Sequence, residues 1–340
     1  MVLDRDAHLI LDYHRILDQA QEISRGDKKI GTTGKGIGPA YADRVARSGV
    51  RMAELFNLEA LKEKIIAKVE QENRYLATVL KVDLQIDFEK VWAEAELAAE
   101  NIAPFVGNVS LLLDGAAKAG DKIVFEGAQG TLLDQVHGTV PYVTSSNTLS
   151  GAVTTGCGVG PKAINWVLGV AKAYSTRVGE GPFPTELNDE LGEQLRTVGA
   201  EFGTVTGRPR RCGWVDAFAL KRSVRLNGID SLAITKLDVL SGLDKIKICI
   251  NYYLDGKKLD DVPSLASDLD RVEPEYIELD GWKEDITKVT KWHELPETAR
   301  FYLATMSEIL ACPISIVSVG PDRAATLFSN TASYVKNFAE

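Results

Sequence analysis

The sequence of 340 residues lacks paired cysteines. Its four cysteines lie far apart, and no two have the Cys-x-x-Cys spacing of a zinc or redox site: Cys157, Cys212, Cys249 and Cys312. Scattered cysteines are typical of reduced thiols in the cytosol, so we expect a cytoplasmic location.

Metal-binding histidines and long apolar runs are missing as well. The four histidines form no pattern such as His-Glu-x-x-His, so the sequence predicts no metal site of its own. No apolar run reaches the roughly 18 residues that a membrane-spanning helix needs, which predicts no membrane partner. Residues 1–6 carry charges and lack the apolar core of a signal peptide.

Positive charge is scarce relative to negative charge. The chain has 39 Lys and Arg against 48 Asp and Glu, a formal net charge of -9. An acidic molecule repels phosphate backbones, so we expect no nucleic-acid partner. The apolar fraction of 45% is normal for a globular protein with a sizeable core, and we expect a single domain over residues 1–340.

The densest cluster of polar chemistry is the arginine loop, which we define as residues 203–211. It carries Arg208, Arg210 and Arg211 after Gly207. Arginine forks bind carboxylate and phosphate groups with two hydrogen bonds, and a glycine lets the backbone turn sharply or approach a ligand. This composition suits an anionic small molecule. A solvated basic loop is the alternative that composition leaves open.

A second candidate is the glycine-rich loop at residues 31–41. It departs from the phosphate-loop template Gly-x-x-x-x-Gly-Lys-Ser/Thr, because Lys29 and Gly36 stand where the template needs Gly and Ser or Thr. Its backbone N–H groups and threonine hydroxyls can still form an anion cradle. A plain flexible loop is the alternative.

Two predicted strands end in loops that suit a nucleotide base. Residues 122–125 are predicted to form a short strand, and Gln129 follows in a glycine-flanked loop where it can donate to and accept from a purine edge. A glutamine in an ordinary turn fits the pattern equally well.

The second such loop is Thr235-Lys236-Leu237-Asp238, after a strand predicted at 231–234. It is like the Asn-Lys-x-Asp guanine reader of GTP-binding proteins, with Thr in the first place. A carboxylate can accept from both N1–H and N2–H₂ of guanine, which adenine cannot offer. Lys-x-Asp after a strand is also common without this role.

The periodicity of the remaining sequence predicts an α/β fold. Apolar residues at three and four spacing predict a helix over residues 4–24 and a helical subdomain at 53–119. Residues 245–290 are predicted to form a small antiparallel excursion. Several predicted strands end in polar loops, as the central sheet of a doubly wound fold requires. We therefore expect a central, mostly parallel sheet with helices on both faces.

In chain order, these motifs closely resemble the adenylosuccinate synthetase family. The matching segments are long and specific, among them Phe-Glu-Gly-Ala-Gln-Gly-Thr-Leu-Leu-Asp and Thr-Gly-Arg-Pro-Arg-Arg-Cys-Gly-Trp. They lie at 31–41, 125–134, 141–147, 175–186, 206–214, 235–238 and 318–323.

The resemblance implies a ligase of purine (AMP) biosynthesis. The family makes adenylosuccinate from IMP, L-aspartate and GTP with Mg²⁺. The γ-phosphoryl group passes to O6 of IMP, and the aspartate amine then displaces it. The resemblance also implies a homodimer, in which Arg47 reaches the IMP phosphate of the neighbouring subunit.

Carried over by motif, the resemblance assigns residues to three ligands. For IMP these are Thr33, Arg47, Gln129, Thr144 and Arg208, with Gln129 also supporting the transition state. For aspartate they are Thr204, Val205, Thr206, Gly207, Arg208 and Arg210. For GTP they are Arg210, Lys236, Leu237, Asp238, Ser318, Val319 and Gly320.

One departure from the family pattern is serious. The family carries a loop of the form Gly-Asp-Glu-Gly-Lys-Gly-Lys, whose aspartate is the base and a Mg²⁺ ligand, and an Asn-Ala-Gly-His segment, whose histidine is the general acid. Neither motif occurs in this sequence. We therefore expect an N-terminally truncated member with no metal ligands of its own and impaired turnover. The alternative is a non-catalytic remnant that binds IMP and GTP or dimerises.

Overall fold

The structure is a computed structural model, and it describes residues 1–28, 30–203, 207 and 209–329. Its contacts divide the chain into two compact units. The first unit consists of residues 1–136 and 141–163, and the second consists of residues 137–140 and the chain from Ile164 onward. The expected single domain over 1–340, with a helical subdomain at 53–119 and an antiparallel excursion at 245–290, stays a prediction.

The first unit is mainly helical. Its helices are α1 (Asp12–Arg25), α2 (Ile37–Ala46), α3 (Leu58–Tyr75), α4 (Phe88–Asn101), α5 (Val109–Ala119) and α6 (Ala152–Cys157). Strands β1 (Leu3–Asp4) and β2 (Val106–Gly107) form a parallel pair. The apolar stripes of α1, α3 and α4 supply a shared core that includes Tyr13, Ile65 and Val91.

Helix α1 is shorter than its sequence pattern predicts. The predicted helix over 4–24 was wrong at its start, because residues 3–4 pair with β2 and Leu11 has an extended backbone at φ -104°. Leu11 N–H donates to Nδ1 of His14 at 3.0 Å, so a side chain of the first turn satisfies a backbone donor at the helix start.

The second unit contains most of the strands. They are β3 (Leu168–Lys172), β4 (Ser175–Arg177), β5 (Arg211–Gly213), β6 (Val215–Asp216), β7 (Ser231–Thr235), β8 (Lys245–Leu254), β9 (Lys257–Lys258), β10 (Glu273–Asp280), β11 (Ile314–Ser318) and β12 (Thr326–Phe328). Its helices are α7 (Glu190–Val198), α8 (Ala217–Asn227), α9 (Ala266–Leu269) and α10 (Glu297–Leu310).

One four-stranded sheet of the second unit has the order β12-β11-β7-β3, and a second sheet has the order β10-β8-β6 with β9 paired to β8. β3, β7 and β11 are parallel, and β12 is antiparallel to β11. Continuous apolar runs such as that of β7 are typical of parallel strands that are buried on both faces. The α/β class and the mostly parallel sheet are confirmed. Strands β8 and β10 pair antiparallel within the predicted excursion.

The strand predicted at 122–125 is wrong. These residues have no regular secondary structure, although their sequence is apolar enough for a buried strand. A strand needs a neighbour to satisfy its N–H and C=O groups, and none of the described strands pairs with this segment. Gln129 therefore lies in a long irregular stretch.

Within the described ranges, no helix is long and apolar enough to cross a membrane.

Helix α8 begins at a carboxylate whose protonation should set a pH dependence of stability. Oδ1 of Asp216 accepts from Ala219 N–H at 3.0 Å, and Oδ2 accepts from the Tyr252 hydroxyl. Burial raises the pKa of Asp216 to about 6. Because the folded state then holds a proton that the unfolded chain has already lost, stability falls as the pH rises from about 4 to 6.

The Asp216→Asn variant should remove that loss. An asparagine oxygen can still cap α8 but cannot ionise. Between pH 4.5 and pH 7.5, the free energy of unfolding of the parent should therefore fall by roughly 2 kcal/mol more than that of the variant. Urea unfolding at both pH values measures this difference. Asp189→Asn is a matched control, because Asp189 is exposed and caps α7 through Gly192 N–H. Equal pH responses in all three proteins would contradict the prediction.

Candidate functional site

The glycine-rich loop of the first unit ends against helix α1. Gly36 precedes α2 with φ 77°, and its N–H donates to the buried Oδ2 of Asp18 at 2.9 Å. A Cβ at Gly36 would lie 2.8 Å from the backbone carbon of His14, so no other residue fits. Thr33 is exposed in this loop. The N-terminus of the ten-residue helix α2 therefore faces an exposed polar loop, an arrangement that favours an anion.

A buried carboxylate fixes the other end of helix α2. Asp43 accepts from the Tyr13 hydroxyl at 2.7 Å and from Nζ of Lys68 at 2.5 Å, and Nε2 of His14 lies 3.2 Å from it. Burial raises the pKa of Asp43, but contacts with His14, Lys68 and Tyr13 outweigh burial and hold it well below its usual value. The backbone oxygen of Asp43 also accepts from Ser48 N–H at 3.0 Å.

Arg47 lies at the end that this network fixes. It is exposed and caps α2 in the left-handed conformation, with φ 64°. Its backbone N–H donates to the Arg44 oxygen at 3.2 Å. The structure therefore holds the turn that carries Arg47 through buried contacts and leaves its side chain at the surface.

Replacing Asp43 by Asn should destabilise the protein by about 3 kcal/mol at pH 7, because Lys68 and its neighbours lose a buried counter-charge. The pKa of Asp43 is lowered in the folded state, so its contribution is present above about pH 4 and is lost as the pH falls below that value. Urea unfolding at pH 7 tests the magnitude. Asp114→Asn is the control, since its pair with Lys118 is exposed and should cost under about 0.5 kcal/mol. Equal losses in the two variants would refute the assignment.

The loops with Gln129 and Thr144 are joined within the first unit. Gln129 is exposed with φ 63°, and the following Gly130 accepts through its oxygen from the Thr148 hydroxyl at 2.9 Å. Oγ1 of Thr144 lies 3.3 Å from Oγ of Ser146. The next segment reaches helix α2, because a Cβ on Gly38 would lie 3.4 Å from Oγ of Ser145.

The carboxyl ends of the parallel strands carry the second group of predicted residues. Lys236 follows β7 with φ 62°, and its Nζ donates to the Gly199 oxygen at 2.5 Å. Leu237 is buried, and Asp238 is half-buried in the short helical turn Leu237–Leu240. Burial raises the pKa of Asp238. A desolvated carboxylate is the acceptor that can distinguish guanine from adenine.

The turn after β11 lies at the same edge of the sheet. β11 pairs in parallel with β7, with Val317 opposite Ile234, so Ser318 follows where Thr235 ends the neighbouring strand. Oγ of Ser318 donates to the Gly320 oxygen at 2.7 Å, and Val319 N–H donates to the Ala325 oxygen at 3.0 Å. The structure thus brings the predicted turn 318–320 beside the Lys236 segment.

The arginine loop is described in part. Thr204, Val205, Thr206 and Arg208 lie outside the described residues. Gly207 has φ 64°, and its N–H donates to the Gly203 oxygen at 2.7 Å. We call Glu201, Phe202, Pro209 and Arg210 the stem of the loop. Phe202 and Pro209 form an isolated antiparallel β-bridge, and Arg210 N–H donates to the Glu201 oxygen at 2.9 Å.

Glu201 and Lys172 are site residues that sequence reasoning missed. Both side chains meet at the stem, where Nζ of Lys172 donates to Oε1 of Glu201 at 2.7 Å. The available signal was a lone carboxylate two residues before the arginine loop, in a stretch of small and apolar residues. A partner 29 residues away leaves no local pattern.

The predicted nucleotide residues divide between the two units. The described IMP candidates Thr33, Arg47, Gln129 and Thr144 belong to the first unit, and the GTP candidates from Arg210 to Gly320 belong to the second. Their ligand roles stay predictions. No group of three or more His, Cys, Asp and Glu that could hold a metal occurs among the residues for which a structure is given.

Comparison with known proteins gives a consistent result. The family model described as adenylosuccinate synthetase matches residues 1–327. The adenylosuccinate synthetase of Stenotrophomonas maltophilia (strain R551-3) is 51% identical over 94% of this chain and 74% of its own length. That of Parafrankia sp. (strain EAN1pec) is 46% identical over 97% of this chain and 77% of its own length. The fully ligated adenylosuccinate synthetase structure from Plasmodium falciparum superposes with a TM-score of 0.91 at 37% identity, covering 97% of this chain and 78% of that chain.

Proposed function

The chain belongs to the adenylosuccinate synthetase family, and we propose that it binds IMP, L-aspartate and GTP at the two groups of residues described above. The family's enzymes are ligases of purine biosynthesis. The proposed reaction converts IMP, L-aspartate and GTP to adenylosuccinate, GDP and phosphate.

The observation that carries this proposal is the edge of the parallel sheet in the second unit. Lys236 and Asp238 follow one strand, and the turn 318–320 follows its parallel neighbour. Ligands of open parallel sheets bind at the carboxyl ends of the strands. Asp238 would accept from N1–H and N2–H₂ of guanine, and the turn would contact the same nucleotide.

The first unit would hold IMP. The exposed loop before α2 lies at a helix N-terminus, which is a favourable place for negative charge. Thr33 and Thr144 would donate hydroxyl hydrogen bonds to IMP. Gln129 would lie where charge develops on the purine during transfer to O6, and Arg208 would add a positive charge.

Aspartate would bind at the arginine loop. Its carboxylates match guanidinium forks and threonine hydroxyls, and residues 204–208 together with Arg210 supply both. Arg210 would serve the aspartate and GTP sites together. In the stem, Arg210 N–H donates to the Glu201 oxygen, so the backbone of this arginine is held in place.

Mg²⁺ is required by the family reaction, and the described residues contain no group of three or more His, Cys, Asp and Glu that could hold it. We propose that the 340-residue chain assayed alone turns over poorly, because its sequence contains neither the Gly-Asp-Glu-Gly-Lys-Gly-Lys nor the Asn-Ala-Gly-His motif. The competing function is a non-catalytic protein that binds IMP and GTP or dimerises. Such a protein would bind both nucleotides. It would form no adenylosuccinate even when the segment with a relative's two catalytic motifs is fused to it.

We further propose a cytoplasmic homodimer. Arg47 is exposed at the end of α2, as a residue that reaches a neighbouring subunit's IMP phosphate must be. In sedimentation experiments the chain should form dimers, and Arg47→Leu should weaken IMP binding without changing GTP binding.

The direct test of this function is ligand selectivity. Thermal unfolding of the purified chain should shift upward with IMP, and with GTP plus Mg²⁺ but not with ATP plus Mg²⁺. Equal shifts with guanine and adenine nucleotides would overturn the assignment of Asp238. No shift with any nucleotide would overturn the proposed function for this chain.

A further inference from the structure

Glu201 is a fully buried carboxylate at the stem of the arginine loop. Its side chain has 0% exposure. Oε1 accepts from Nζ of Lys172 and from the Tyr174 hydroxyl, both at 2.7 Å, and Oε2 accepts from Nη1 of Arg210 at 2.8 Å. Three donors therefore satisfy one carboxylate that has no access to solvent.

The backbone around Glu201 connects the same elements. Its oxygen accepts from Arg210 N–H at 2.9 Å, and two residues earlier the Gly199 oxygen accepts from Nζ of Lys236 at 2.5 Å. Gly199 is held closely, because a Cβ there would lie 2.2 Å from the Tyr174 hydroxyl. Segment 199–201 thus contacts both the arginine loop and the segment that begins at Lys236.

Positive charge accumulates around this segment. Burial lowers the pKa of Lys172, contact with Glu201 raises it, and the charges of Arg210 and Lys236 lower it further, so that the pKa lies below its usual value. Such cations repel one another when they are brought together without a ligand, and a buried carboxylate offsets that repulsion. Removing one partner of a buried ion pair leaves the others uncompensated.

We propose that Glu201 is a positioning residue, which sets Arg210 and the stem of the arginine loop against the segment Lys236–Asp238 before a nucleotide binds. It acts through Arg210 and the segment 199–201 and touches no ligand itself. The inference rests on the proposed GTP roles of Arg210 and Lys236. It goes beyond those roles, because GTP binding would also require an ionised, buried carboxylate that does not contact the nucleotide.

The test compares Glu201→Gln with the parent chain by calorimetric titration of IMP and of GTP plus Mg²⁺. Glutamine keeps the shape of the side chain and removes its charge. The dissociation constant for GTP should rise about 20-fold and that for IMP by clearly less, because Arg208 is one of five IMP candidates and the other four belong to the first unit. Unchanged GTP affinity would overturn the proposal, and equal losses for both nucleotides would show a merely structural role.

Two further variants keep the test decisive. Tyr174→Phe removes one of the three donors and should weaken GTP binding about threefold and IMP binding by less, which decides the matter if Glu201→Gln fails to fold. Glu190→Gln is the matched control in the first turn of α7: its side chain is exposed, so GTP binding should not change. A control loss as large as that of Tyr174→Phe would contradict the proposal.

A ligand-free measurement separates this inference from the proposed function. Trypsin should cleave after Arg210 about fivefold faster in Glu201→Gln than in the parent or in Glu190→Gln, because the stem opens more often without the carboxylate. If the parent binds neither nucleotide, the proposed function fails while the cleavage rates still test the stem. Equal cleavage rates in all three proteins would refute the positioning role.

Discussion

The 340-residue chain, assayed alone with IMP, L-aspartate, GTP and Mg²⁺, should form adenylosuccinate about 10⁴-fold more slowly than a family member that carries the aspartate and histidine motifs. General acid and base groups each contribute about 10² to 10⁴ in rate, and phosphoryl transfer depends on the metal and on positioning. Among the described residues, no group of three or more His, Cys, Asp and Glu could hold a metal ion.

The assay requires a control for folding. The same preparation should bind IMP and unfold cooperatively, so that a low rate reports missing chemistry rather than a damaged protein. A rate of adenylosuccinate formation within about tenfold of that of the comparison enzyme would contradict the prediction. The chain would then need catalytic groups other than those of the two motifs that its sequence does not contain.

The Asp238→Asn variant should bind GTP about 10³-fold more weakly than the parent chain. A site built to hydrogen-bond a ligand loses affinity by such factors when donors and acceptors no longer match, because buried polar groups are left unpaired. The carboxylate accepts from both N1–H and N2–H₂ of guanine, whereas an amide presents its own N–H₂ to the guanine amine. Asp238 is half-buried, so water cannot fully replace the lost bond.

The same variant should gain affinity for XTP, since the C2 oxygen of xanthine can accept from the new amide. Calorimetric titration with GTP and XTP measures both changes. Asp244→Asn is the matched control in the turn that follows the same segment, where Asp244 is exposed and pairs with Lys283. Unchanged GTP affinity in Asp238→Asn, or an equal loss in Asp244→Asn, would exclude Asp238 as the guanine reader.

Strand β7 of the second unit could be predicted from local sequence. It is a short continuous apolar run bounded by polar loops, and the strand predicted at 231–234 matches it within one residue. The same reasoning failed at 122–125, where an equally apolar run finds no partner strand. Whether such a run forms a strand depends on a neighbour from elsewhere in the chain, which periodicity does not report.

The side chains that we propose to bind ligands were easier to find in the sequence than the residues that hold them. Lys236, Asp238 and Arg210 belong to motifs in which residue type and spacing express the chemistry directly. Asp43 and Glu201 are visible only after folding, because their partners come from distant segments: Lys68 lies 25 residues from Asp43. Buried ion pairs of this kind have no short-range signature in a sequence.

The central claim is that this chain carries assembled sites for both nucleotides, and calorimetric titration with IMP, followed by GTP plus Mg²⁺, tests it most directly. The account predicts micromolar IMP binding with one site per chain, and GTP binding that Asp238→Asn abolishes at the same concentrations. The absence of heat from either nucleotide, in a chain that unfolds cooperatively, would contradict the account.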